Sequence, residues 1–133
     1  MYLLDTNICI YAMKNSSAGL TAKLLQTDPA DICISSVTVA ELEYGCAKSK
    51  WSDRSRQVMN MFVAAFSVIS FDQNDAVAAG RLRAELAEKG KLIGPYEIQI
   101  AAQGIARGLT VVTHNTSEFS RIRGISLEDW VAD

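Results

Sequence analysis

Residues 94–113 read GPYEIQIAAQGIARGLTVVT. Pro95 suits the first turn of a helix, where its fixed φ and missing N–H do no harm. The pattern stays helical through Ala101 to Arg107, and Gly108 supplies the stop. Leu109 to Thr113 then forms a short, apolar, β-branched run, the signature of a buried strand. A helix running straight into such a strand is half of a βαβ unit.

The same alternation recurs outward from this stretch. Tyr2-Leu3-Leu4 is a short apolar strand, broken by Asp5-Thr6-Asn7 and followed by helical periodicity from Ile8 to Met13. Leu20 to Gln26 reads as a helix closed by Asp28-Pro29, and Ile32-Cys33-Ile34 as a second strand. Ser35-Ser36 opens a helix with apolar Val37, Ala40, Tyr44 and Ala47. Ser52-Asp53 can cap the next, which carries Val58, Met61, Phe62, Ala65 and Phe66 on one face. Val68 to Phe71 is a third strand, Asn74 to Lys89 a long helix ended by Gly90, and Ser117 to Arg121 a helical turn. Short buried strands between helices predict α/β architecture, a central parallel sheet flanked by helices.

The chain has 133 residues, a net charge of −2, 49% hydrophobic and 21% charged residues. One domain over 1–133 fits this length, and the composition excludes disordered and low-complexity classes. No apolar run is long enough to span a membrane, and MYLLDTN lacks the basic region of a signal peptide. Cys9, Cys33 and Cys46 form no CxxC pair and read as reduced thiols in a cytoplasmic protein. The charge balance gives no overall attraction for nucleic acid, so handling it requires local basic patches or a bound cation.

In parallel sheets, function gathers at the carboxyl ends of the strands. Asp5 follows the first strand. Glu41 lies one turn beyond Ser35 and Ser36. Thr113, His114, Asn115 and Glu118 follow the strand at 109–112, and Glu97 opens the helix before it. Crowded carboxylates repel unless something positive sits among them. Mg²⁺ takes oxygen ligands and keeps waters, leaving room for a substrate phosphate. Each acid also reads as a helix-start residue: Asp5 as an N-cap, Thr38 to Glu41 as a capping box, Glu97 as a first-turn acid. The two roles are compatible, since a carboxylate at a helix start can still reach a metal.

These stretches resemble the PIN-domain ribonucleases, and within them the VapC toxins of bacterial toxin–antitoxin pairs. The resemblance rests on LDTNICIYAMK from Leu4, SSVTVAELEYG from Ser35, IGPYEIQIAAQGIARGLTVVTHNTSEFSRI from Ile93 and LEDW from Leu127. It implies a PIN fold, an α/β/α sandwich, and endoribonuclease activity with Mg²⁺ or Mn²⁺. Asp5 matches the family's first metal-binding acid, accompanied by Thr6 and Asn7, and Glu41 its glutamate. Asn115 falls where many PIN domains carry a further acid, with Glu118 close by, and Thr113 matches the hydroxyl residue closing the last core strand. The implied partners are a VapB-type antitoxin, operator DNA reached only through that antitoxin, and a second copy in a homodimer. The implied substrate is initiator tRNA, cut in the anticodon stem-loop, with translation inhibited in consequence.

One departure concerns the chemistry. Family members normally carry Asp after IGPY, and this chain carries Glu97, longer by one methylene. Mg²⁺ is strict about octahedral geometry, so the longer arm predicts weakened catalysis. Three functions follow: a metal-dependent endoribonuclease toxin, an attenuated PIN domain acting mainly by binding its antitoxin, or a domain whose acids are all caps. In the first, Asp5 and Glu97 hold the metal. Glu41 orients or deprotonates the attacking water or binds a second ion, and Asn115 and Thr113 fix waters. His114, the lone histidine, reads as a loop residue, and most of the lysines and arginines as a solvated face. Trp51 and Trp130 read as packing residues. Tyr44, Val58, Met61 and Phe62 read mainly as core, some of them lining a groove for an antitoxin helix.

Overall fold

The computed structural model describes residues 1–131. Five short strands build one sheet: β1 (Tyr2–Leu4), β2 (Ile32–Ser35), β3 (Ser67–Ile69), β4 (Thr110–Val112) and β5 (Ser126–Glu128). Their order is β3-β2-β1-β4-β5, and every neighbouring pair is parallel. The register sets Leu3 beside Cys33 and Val111, and Leu4 beside Ile34 and Val112.

Seven helices connect the strands: α1 (Thr6–Met13), α2 (Ala18–Gln26), α3 (Ser36–Ala47), α4 (Ser52–Ala64), α5 (Gln73–Glu88), α6 (Pro95–Ala106) and α7 (Thr116–Phe119). Because side chains alternate across a strand, the sheet divides the interior into two cores. Leu3, Cys33 and Val111 pack with Ala79 and Leu86 of α5 and Ile98, Ala101 and Ala102 of α6. Leu4, Ile32, Ile34 and Val112 pack with Ile8, Cys9, Leu20, Leu42, Cys46 and Met59 from α1 to α4. The predicted α/β/α sandwich is therefore present, and all three cysteines are buried and free. No helix among the described residues is long and apolar enough to cross a membrane.

Gly90 and Gly108, both at φ +66°, end α5 and α6 as read from the sequence. Gly104 has a different reason. A Cβ there would lie 2.6 Å from Val111 Cγ2, so a hydrogen lets α6 sit down on β4.

Five sequence readings are corrected. β5 gives no sequence signal, because one exposed and two half-buried residues with polar ends make no apolar run. The inward positions of α3 are Thr38, Leu42 and Cys46, while Ala40, Tyr44 and Ala47 face outward. α4 starts after Trp51, whose N–H donates to the Ser49 hydroxyl at 3.1 Å, so Ser52 and Asp53 lie inside the helix rather than capping it. Its buried side centres on Met59, leaving Val58 and Met61 exposed. Finally, α3 is capped by Ser35, which accepts from Val37 N–H at 3.1 Å, so Thr38 and Glu41 form no capping box.

Candidate active site

The chain leaves β1 toward β2 and leaves β4 toward β5, so the strand order switches direction between β1 and β4. The carboxyl ends flanking such a switch form a natural crevice. Asp5 and Thr113 are the residues immediately beyond those two ends.

Asp5 is 5% exposed. Its N–H donates to Val112 O at 3.0 Å, tying it to β4, while its Oδ1 caps α1 by accepting from Ile8 N–H at 2.8 Å. The fully buried Thr113 sets its hydroxyl beside the Asp5 carboxylate and accepts from Asn115 N–H at 3.0 Å. Burial pushes the Asp5 carboxyl up to about 6; the Thr113 and Ile8 hydrogen bonds oppose this, and the Glu97 and Glu41 charges add to it.

Glu41 arrives one and a half turns into α3. Its Oε1 accepts the Thr6 hydroxyl at 2.6 Å, and the Thr6 oxygen also lies 3.1 Å from that of the buried Thr38. Partial burial raises the Glu41 carboxyl above its ordinary range; the Thr6 bond counters this and the Glu97 charge reinforces it. Glu97 stands in the first turn of α6, as read from the sequence, and has no hydrogen-bond or ion-pair partner among the described residues.

Asp5, Thr6, Asn7, Glu41 and Glu97 line one pocket of about 30 Å³, with Ile100 and Phe119 as apolar walls. That is space for one or two small species, since a water needs roughly 10–15 Å³ on this measure. Asn115 and Glu118 do not line it. They hold each other, Asn115 Nδ2 donating to Glu118 Oε2 at 2.8 Å, and Asn115 reaches Asp5 only through Thr113. Ile100 was missed, although its place three residues after Glu97 on a helix puts it on the same face.

The donors fit a hard divalent cation: carboxylate and hydroxyl oxygens with no sulfur or imidazole, and Asp5 and Glu41 raised chiefly by burial, with the neighbouring Glu97 charge adding to it. Among the described residues, however, no three acidic, imidazole or thiol groups already stand at ligating separation. Asp5 and Glu41 each have an oxygen engaged with the protein, and the Glu97 carboxyl lies against Gly94.

Beyond the acids, a groove of about 450 Å³ runs between α1, α3 and α4, lined by Ile10, Met13, Leu42, Cys46, Val58 and Met59 and edged by Lys14 and Arg54. Glu41 belongs to both the groove and the pocket. His114 is exposed, with Nδ1 3.0 Å from Asp129 Oδ2, consistent with a loop residue. Trp130 is buried edge-on against Tyr2, whereas Trp51 is exposed.

Comparison with known proteins accords with this geometry. The PIN domain family model matches residues 2–125. A tRNA(fMet)-specific endonuclease VapC from Shigella flexneri is 42% identical over 129 residues, covering 97% of each chain. The chain belongs to the VapC group of PIN domains. This PIN domain also superposes on the DNA-bound VapBC structure from Salmonella typhimurium with a TM-score of 0.92, at 42% identity and 97% coverage of both chains. VapBC2 from Rickettsia felis, bound to a DNA fragment from its promoter, gives 0.90 at 37% identity, covering 97% of this chain and 98% of that one.

Proposed function

We propose that this PIN domain is the toxin of a VapBC pair, a divalent-metal-dependent endoribonuclease that cuts initiator tRNA in the anticodon stem-loop. One observation carries the reading: acids from three distant parts of the chain, Asp5, Glu41 and Glu97, line one small pocket at the switch point of the sheet. Helix-start roles account for Asp5 and Glu97 singly but not for Glu41, and they give no reason for the three to share a pocket. The name of the Shigella relative supports the substrate.

Asp5 and Glu97 would hold Mg²⁺ or Mn²⁺, with Glu41 beside them. When bound, the ion supplies a more acidic water and a positive charge against the phosphate. Thr113 and the Ile8 N–H fix Asp5 from two sides, and Asn115 in turn fixes Thr113. Thr6 holds Glu41 Oε1, leaving Oε2 to orient or deprotonate the attacking water. Ile100 and Phe119 limit the water that can crowd the reacting phosphate.

The apolar groove beside Glu41 suits an amphipathic antitoxin helix. Because Glu41 lies at the junction of groove and pocket, a helix seated there would end at the acids and obstruct them. Operator DNA is then reached through the antitoxin, in keeping with neighbours solved as VapBC on DNA. A homodimer and a cytoplasmic location complete the reading.

The test is incubation with total tRNA and Mg²⁺ or Mn²⁺, followed by mapping of the cut ends. A single cut in the anticodon stem-loop of initiator tRNA, lost with chelator and in Asp5→Ala, is expected. Antitoxin binding without any metal-dependent cleavage would replace this reading with that of an interaction protein.

A further inference from the structure

Gly94 precedes Pro95 and caps α6 with φ −60° and ψ 150°. Any L-residue adopts that conformation, and a residue before proline favours it. The backbone makes no demand for glycine here. A Cβ built on Gly94 would overlap Glu97 Oε2 and lie 3.0 Å from Cδ and 3.5 Å from Oε1. The three nearest atoms all belong to that one carboxyl group, whereas at Gly45 and Gly80 nothing lies within 4 Å. The slot above Gly94 is filled by the end of a flexible side chain, and that side chain is the one pocket acid without a protein partner.

We propose that Gly94 is a positioning residue for Glu97: its missing Cβ leaves a slot at the pocket edge that holds the carboxylate until a divalent cation draws it in toward Asp5 and Glu41. An aspartate, one methylene shorter, falls short of this slot. The glutamate therefore has two stations where an aspartate has one, and the slot competes with ion binding. The effect on ion binding rests on the function proposed above; the position of the side chain does not.

A Cβ at Gly94 meets only the far end of the Glu97 side chain, which can swing aside without disturbing the helix start. Gly94→Ala, Glu97→Asp and the double variant form a cycle. Each is melted to check folding, crystallised without metal, and titrated calorimetrically with Mn²⁺ alone. Gly94→Ser, with the same Cβ and a favoured capping hydroxyl, replaces the alanine if that variant is unstable. In the parent, the Glu97 carboxylate should lie on Gly94; in Gly94→Ala it should turn out over the pocket. Mn²⁺ affinity should rise about five-fold with Gly94→Ala in the parent and change less than about two-fold in the Glu97→Asp background. An unmoved Glu97, or the same affinity change in both backgrounds, overturns the proposal. If no variant binds Mn²⁺, the metal reading and the competition with it fail, while the crystal structures still decide the slot.

Discussion

The Thr6 hydroxyl donates to Glu41 Oε1 at 2.6 Å, joining the first turn of α1 to the middle of α3 across 35 positions of sequence. Thr6 is half-buried, its oxygen also meets that of Thr38, and the arrangement fixes Glu41 over the pocket. Thr6→Val keeps the shape and removes the donor. We expect kcat for RNA cleavage to fall about ten-fold, the equivalent of one hydrogen bond to a charged group, with KM little changed. Thr6→Ser should restore most of it. Equal activity of the valine and serine variants would show that the bond does not serve catalysis.

Glu97→Asp shortens this arm of the pocket by one methylene. Cleavage at saturating Mn²⁺ should rise about ten-fold, because even a 1 Å misplacement of a reacting group can cost more than that. Steady-state rates on a tRNA substrate check it, and an unchanged or lower rate would count against a misfit at this position.

Asp5 gives a pH signature in the metal-free protein. Its carboxyl is raised to about 6 on folding, so between about pH 4 and 6 the native state holds more protons than the unfolded chain. Stability contributed at low pH is then lost as pH rises through that window. Asp5→Asn keeps an oxygen for the Ile8 N–H and escapes the penalty. Its melting temperature should exceed the parent's at pH 7, by the equivalent of about 1–3 kcal/mol, with the gap closing toward pH 4. A variant that melts below the parent at pH 7 contradicts this.

A second buried acid, Asp75, has the opposite sign. It is 1% exposed and forms a capping box with Asp72; it also accepts from Arg107 Nη2 at 2.8 Å and Gln103 Nε2 at 3.0 Å. Burial raises its carboxyl, but the Arg107, Asp72 and Gln103 hydrogen bonds together more than reverse that and hold it below the ordinary range. Its contribution is therefore present above about pH 4 and lost as pH falls through the lowered value. Arg107→Met strands the buried charge and should cost about 2–4 kcal/mol in urea unfolding at pH 7, with much less lost at pH 2. An equal cost at both pH values would assign the loss to packing instead.

The sequence was most legible where one cause acts alone. Gly90 and Gly108 ended helices because left-handed backbone favours glycine, and β4 was plain because five apolar or β-branched residues follow Gly108. Asp5 and Glu97 could be placed at the rim from strand and helix boundaries alone. Tertiary context decided the rest. α3 buries Thr38 because Thr6 awaits it, which no hydropathy pattern reports, and Tyr44 is consequently turned outward. Nothing in the sequence pairs Asp75 with Arg107, which meet only once α5 and α6 pack together. The slot for Glu97 depends on an absent methyl group at Gly94, legible only once the backbone is placed.

Anomalous diffraction from a crystal soaked in Mn²⁺ measures the shared-ion claim without an RNA substrate. A peak enclosed by Asp5, Glu41 and Glu97, absent from an Asp5→Ala crystal treated alike, is the predicted result. Full soaking that leaves this pocket without a peak, or places Mn²⁺ only at surface acids, would contradict it.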